Sequence, residues 1–327
     1  MSRRALLSAA AGALAAATFG PASRAFAQER FPTRPVRVVL GFAPGGGADI
    51  YLRSVALRLN QIWGQPVVVE NRPGASGFIG ADIVAKAPPD GYTLSLSVPN
   101  SHSLGPHVMR APYDALRDFT PITLGVQFPM ICVVGNAVPV SSFQELVAYA
   151  KANVGKLTFA STGNGSIQQI GGEVFNKITG AQITHVPYKG SAPAILDVIG
   201  GNVTMSFDTS TGATQHIKAG KLKALAVLAS QRMTGLPDVP TTAEVGQPGF
   251  ELSAWYGWHG PAGMPKALVE QIQQDVARAM AFPDVREKLL GMGAEIGGGS
   301  PESFRAMFEK DYARMGEVVK STGIKAD

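Results

Sequence analysis

A single cysteine, Cys132, in 327 residues excludes any intrachain disulfide. Its place in the apolar run Met130-Ile131-Cys132-Val133-Val134 marks it as a small buried hydrophobe, far from any lipid-anchor position. Histidine is scarce too: His102, His107, His185, His216 and His259 show no His-Glu-x-x-His pattern and no paired metal-ligand spacing, so no metal is expected. There is no Gly-x-Ser-x-Gly elbow and no phosphate loop ending in Gly-Lys-Ser/Thr. Gly45-Gly46-Gly47 is too compressed for a dinucleotide fingerprint, which leaves a nucleotide-cofactor enzyme as the weakest reading. Tyr188 and Lys189 are adjacent and point apart on an extended chain, so they make a poor acid–base pair. The expectation is a protein without a cofactor that is not an enzyme.

A strong excess of one charge is also missing. The chain has 29 basic and 24 acidic residues, and removing Arg3, Arg4 and Arg24 of the N-terminal segment leaves 26 against 24. That near balance gives no support to a nucleic-acid partner. Beyond the N-terminal segment there is no hydrophobic span, and no repeat or low-complexity tract.

What is present begins with that segment. Met1-Ser2-Arg3-Arg4 is basic, an Ala/Leu-rich run extends from Ala5 to Phe19, and Ala25-Phe26-Ala27 has the small-x-small pattern of a signal-peptidase site. Residues 1–27 are therefore expected to be a signal peptide, removed near Ala27 to leave a soluble periplasmic protein. The arginine pair suits either a twin-arginine or an ordinary export route.

The remainder exceeds the size at which one core usually suffices, which predicts two lobes. Val36 to Leu40 reads as a strand, Gly41 to Asp49 as a glycine loop, and Ile50 to Gln61 as a helix with Leu52, Val55, Ala56 and Leu59 on one face. The pattern repeats through Pro66–Glu70, Asn71–Gly77 and Phe78–Lys86, and again through Leu157–Ala160, Ser161–Ser166 and Ile167–Thr179. Alternation of this kind predicts an α/β fold, each lobe a mostly parallel doubly wound sheet flanked by helices. The expected division is 28–125 with 225–327 as lobe 1 and 126–224 as lobe 2, with extended connections near Ile122–Val134 and Leu222–Leu228 as hinges. Ser142 and Glu145 form a capping-box pair at the start of a helix.

In such a sheet the ligand lies beyond the carboxyl ends of the strands, so the loops Gly45–Asp49, Gly74–Gly77 and Gly163–Ser166 should face one cleft. Helix N-termini there offer unpaired amides to an anion, especially a carboxylate. Glycine lets backbone approach the ligand, and Ser76, Ser161, Thr162 and Ser166 add hydroxyls. Asp49 has three possible roles: orienting its loop, capping the helix expected near Ile50, or meeting an amino group on the ligand.

Longer stretches carry a family resemblance. Phe31-Pro32-Thr33-Arg34-Pro35-Val36-Arg37, Pro44-Gly45-Gly46-Gly47-Ala48-Asp49, Val69-Glu70-Asn71-Arg72-Pro73-Gly74-Ala75, Pro88-Pro89-Asp90-Gly91-Tyr92 and Pro187-Tyr188-Lys189-Gly190 resemble the periplasmic solute-binding proteins of tripartite tricarboxylate transporters, the Bug or TctC-like family. Ala219-Gly220-Lys221-Leu222-Lys223, Asp238-Val239-Pro240-Thr241 and Trp255-Tyr256-Gly257 match as well, so the likeness spans nearly the whole mature chain.

The resemblance implies a two-lobed type II binding-protein fold that closes on a small organic carboxylate (a di- or tricarboxylate, an amino acid or an aromatic acid). It further implies a monomer that serves membrane permease subunits; a sensory co-receptor is the alternative. Carried over, the ligand-binding residues are Phe42, Gly46, Gly47 and Asp49, then Ser161, Thr162, Gly163, Gly165 and Ser166, with Tyr188, Lys189 and Asp208 as neighbours. Family members commonly have histidine where this chain has Gln169, which bears on how the distal end of a ligand is met. Ser97, Asn100 and His102 are further candidates for tuning the choice of ligand.

Overall fold

The structure, a computed structural model, describes residues 31–324. The chain divides after Thr33, and the compact body begins at Arg34. The expected signal peptide lies outside the described residues. Among those residues no helix is long and apolar enough to cross a membrane.

The first stretch comprises β1 (Val36–Leu40), α1 (Gly47–Trp63), β2 (Val67–Asn71), a 3-10 turn (Ala75–Gly77), α2 (Phe78–Ala85), β3 (Thr93–Ser97) and the one-turn helices α3 (Pro99–His102) and α4 (Gly105–Val108). The long strand β4 (Phe119–Gly135) leads to α5 (Phe143–Ala152), β5 (Thr158–Ser161), α6 (Ile167–Thr179), β6 (Thr184–Pro187), α7 (Ser191–Gly200), β7 (Met205–Thr209), α8 (Ser210–Lys218) and β8 (Leu222–Val227). The chain ends with β9 (Ser253–Pro261), α9 (Lys266–Ala281), α10 (Pro283–Gly291), β10 (Glu295–Ile296) and α11 (Pro301–Thr322).

Alternating strands and helices give two parallel trios, β2-β1-β3 and β6-β5-β7, because each helix crosses over to return the chain in the same direction. Val36, Val38, Val39 and Leu40 are all buried, as expected of a parallel strand covered on both faces. The trios are joined by antiparallel pairing: β9 lies between β3 and β4, and β7 and β8 both pair with β4. The sheet is therefore mixed. Its junction is the 17-residue β4, whose first part pairs with β9 and whose second part pairs with β7 and β8. Cys132 sits in that second part opposite Phe207 and Ala226, fully buried, and burial pushes its thiol pKa up.

Local signals are obeyed closely. Ser142 accepts from the Glu145 amide at 3.1 Å while Glu145 Oε2 accepts from the Ser141 amide, an outer version of the reciprocal cap. Helix α6 ends at Gly180, whose φ of 68° lets its amide reach Asn176 O. Helix α1 begins at Gly47, three residues before the expected start, because glycines 46 and 47 open it without a side-chain cap.

Candidate ligand cleft

A cleft opens at the carboxyl ends of β1 and β3 and faces the starts of α6, α7 and α8. It holds about 470 Å3 of unoccupied space, its mouth included, between Phe42, Gly46, Gly47, Asn100, Thr162 and Gln168. Phe128 of β4 and Ala254 and Tyr256 of β9 close the back, and Ser191 and Thr209 line the far side.

Two helix N-termini converge there. Gly46 caps α1 and Gly190 caps α7, and neither helix start has a side-chain cap. A Cβ built on Gly46 would stand 3.5 Å from the Ala192 amide nitrogen and 3.7 Å from that of Ser191, so the two starts face each other. First-turn amides without intrahelical partners concentrate positive potential at this spot.

The starts of α6 and α8, by contrast, carry side-chain caps. On α6, Ser166 accepts from the Gln169 amide at 3.2 Å and Asn100 Oδ1 accepts from the Ile167 amide at 3.0 Å. In the loop before it, Gln169 Oε1 accepts from the Gly165 amide at 2.7 Å and Ser161 Oγ from the Gly163 amide at 3.1 Å. On α8, Thr209 Oγ1 accepts from the Gly212 amide at 3.1 Å.

The hydroxyl protons of the cleft are committed as well. Thr162 Oγ1 accepts from Asn100 Nδ2 and donates to Gln168 Oε1, both at 2.8 Å. Ser191 donates to the two oxygens of Asp208 at 2.9 and 2.8 Å, and Thr209 donates to Asp208 Oδ1 at 3.2 Å. Asp208 itself is buried, and burial pushes its pKa up to about 6 against the hydrogen bonds from Ser191, Thr209 and Gln168. Asp49 behaves oppositely. Burial opposes its charge, but Arg53 at 2.8 Å, the Gly45 amide at 3.0 Å and Asn71 at 3.0 Å hold its carboxyl below the usual range.

Direct contacts tie the two walls together. Ser76 Oγ donates to Asn164 O at 2.5 Å, the Ala43 amide to Lys189 O at 3.0 Å, and Asn100 to Thr162 as above. Gly47 packs so tightly on α8 that a Cβ would lie 2.4 Å from Thr211 Oγ1 and 2.8 Å from the Gly212 nitrogen. Beyond Phe42 and Thr162, an adjoining crevice is lined by Gly74–Gly77, Gly163, Tyr188 and Lys189.

The family model for the tripartite tricarboxylate transporter family receptor matches residues 51–324. The chain belongs to that family. The receptor is 36% identical over 299 residues to protein BugT of Bordetella pertussis, covering 91% of this chain and 92% of BugT. Among solved structures it is similar to Rpa4515 of R. palustris with adipate, at 37% identity and a TM-score of 0.87, covering 90% of this chain and 99% of that one. It is also similar to MatC from Rhodopseudomonas palustris with bound malate, at 32% identity and a TM-score of 0.85, covering 88% and 100%. The fold expected from the sequence and the family resemblance both stand on these matches, as does a solute-binding protein in place of an enzyme.

The receptor's sequence-derived site residues fall into three groups. Phe42, Gly46, Gly47, Asp49 and Thr162 line the cleft, with Asn100 beside them. Ser76, Gly163, Tyr188 and Lys189 line the adjoining crevice, where Tyr188 donates to Asp197 at 2.5 Å. Ser161, Gly165, Ser166, Gln169 and Asp208 stand behind the cleft wall and hold its loops; Ser161, for one, pairs with His185 at 2.5 Å. Asp49 clamps the glycine loop from the third residue of α1, three residues after its cap.

Ser97 and His102 do not reach the receptor's cleft. Ser97 donates to Gly257 O at 2.9 Å, and His102 is fully buried, its ring stacked 5.1 Å from His259 and tilted against Phe119 at 4.7 Å. Burial lowers the His102 pKa to about 3, and the Nε2 atoms of His102 and His259 have no hydrogen-bond partner among the described residues. Gln168, Ser191, Thr209, Phe128 and Tyr256 line the cleft without having been singled out. Ser191 had a signal of its own, since Gly190 precedes it at a helix start after a strand, the arrangement used to pick out Gly46 and Gly47.

Proposed function

We propose that the protein is exported, cleaved near Ala27, and captures a small organic carboxylate in the periplasm for the permease subunits of a tripartite transporter. The observation that carries this reading is the convergence of the uncapped starts of α1 and α7 at Gly46 and Ser191 in the cleft. Charge-assisted bonds from several preoriented amides offset the cost of desolvating a carboxylate, and exclusion of water strengthens them. The adipate- and malate-bound relatives, alike in fold at TM-scores of 0.87 and 0.85, support a carboxylate as the solute.

The lobes are the two half-sheets, with β4 common to both and the whole of β8 on the second. Opening then bends β4 near Gln127–Met130, where its partner changes from β9 to β7 and β8. On this reading the glycine loop at Gly46 and Gly47 supplies amides, Phe42 and Thr162 shape the entrance, and Ser166, Gln169 and Asp208 hold the opposite wall.

The test is thermal unfolding of the mature protein, stripped by partial unfolding and refolding, against carboxylates, amino acids and aromatic acids. A ligand at about a hundred times its Kd adds about 2.7 kcal/mol and raises the midpoint by several degrees. A broad panel of carboxylates with no shift would sink the reading. Loss of uptake on deletion would assign the transporter role, whereas loss of gene induction with uptake intact would assign a sensory one.

A further inference from the structure

We infer that the solute carries one carboxylate on an apolar body, a deepening that rests on the carboxylate reading above. The walls of the cleft are chiefly Phe42, Val98, Phe128, Ile167, Ala254 and Tyr256. Among the described residues no lysine, arginine or histidine lines it. Its carboxylate side chain, Asp49, already accepts from Gly45, Arg53 and Asn71.

The anion seat is at the facing starts of α1 and α7, and no cationic side chain among the described residues lining the cleft marks a second. At the start of α6 the Ile167 and Gln169 amides are taken by Asn100 and Ser166, and in the loop before it the Gly165 amide is taken by Gln169. Ser191, Thr209 and Thr162 have each donated their proton to Asp208 or Gln168, so toward the cleft they present oxygen lone pairs. A second carboxylate would therefore lose its water and gain no cationic partner among the described residues that line the cleft. Lys189 lines the adjoining crevice and not the cleft itself. An aromatic or aliphatic body, by contrast, gains from burial against the apolar walls.

The experiment is calorimetric titration of the stripped mature protein with benzoate and hexanoate, with adipate, malate and citrate, and with benzamide and phenylalanine. The expected result is that benzoate or hexanoate binds at least about a hundredfold more tightly than adipate, malate or citrate. Benzamide, which keeps the ring and loses the charge, is expected to bind at least about tenfold more weakly than benzoate.

Tighter binding of a di- or tricarboxylate would overturn the inference while leaving the carboxylate reading intact. Preference for phenylalanine over benzoate and hexanoate would overturn it too, by showing that an ammonium group is accommodated. Equal binding of benzamide and benzoate would overturn the anion seat, and binding of none of the acids would remove the reading on which the inference rests.

Discussion

Asn100 spans the cleft with both ends of its amide: Nδ2 donates to Thr162 Oγ1 at 2.8 Å and Oδ1 accepts from the Ile167 amide at 3.0 Å. A side chain following β3 thus holds the start of α6 on the opposite wall. Asn100→Ala removes both bonds, each worth about 1 kcal/mol. The variant is expected to expand in small-angle scattering without ligand and to bind its solute up to about thirtyfold more weakly. Unchanged scattering and affinity would show that Asn100 does not hold the walls together.

Gly47 tests the fit of α1 against α8. A Cβ there would meet Thr211 Oγ1 at 2.4 Å and backbone of Gly212 at 2.8 Å. Gly47→Ala is expected to wedge the walls apart and to cost about 1–3 kcal/mol, read as a lower unfolding midpoint together with lost solute binding. Gly64→Ala is the control: its Cβ meets nothing within 4 Å but its φ of 62° is unfavourable for alanine, so stability falls by about 1 kcal/mol with affinity unchanged.

The buried Asp208 makes stability depend on pH in an unusual direction. Its pKa rises from 3.8 unfolded to about 6 folded, so between those values the folded protein binds more protons than the unfolded chain. Its contribution is fully present below about pH 4 and is lost as pH climbs through 6. In urea melts, Asp208→Asn is expected to gain on the wild type by about 2 kcal/mol between pH 4 and pH 7. A constant difference between the two proteins would argue against a perturbed Asp208.

The sign reverses at His102. Its folded pKa of about 3 lies below the ordinary 6.5, so the unfolded chain takes up the proton first and stability is lost as pH falls from 6.5 toward 3. His102→Phe is expected to fill the same aromatic cage and to improve relative to the wild type by about 1–2 kcal/mol between pH 7 and pH 5. Parallel pH profiles for the two proteins would contradict this.

Much of the architecture was legible because it is encoded locally. Residues Ile167–Thr179 with Gly180, the Ser142–Glu145 pair and the parallel trios follow from spacing, caps and alternation within short windows. The antiparallel junction was not legible, since the placing of β9 between β3 and β4 joins segments more than a hundred residues apart and leaves no local mark.

The site divides along the same line. Gly46 and Gly47 were visible as a glycine loop between strand and helix, whereas Phe128 and Tyr256 are ordinary apolar strand positions until the sheet brings them to one cavity. Ser166 and Gln169 were recognised by motif as ligand contacts, and only the hydrogen bonds of α6 show how fully they are used within the loop.

The seclusion of Cys132 has a practical sequel. As the sole thiol, enclosed in the second part of the strand that both halves share, it is shielded from reagents for as long as the sheet stays intact. Its rate of alkylation is therefore an intrinsic clock for opening of the β4 junction, and it needs no introduced label. A solute that stabilises the native state should slow that clock in proportion to its occupancy, so bound ligand can be scored by mass spectrometry even in a mixture.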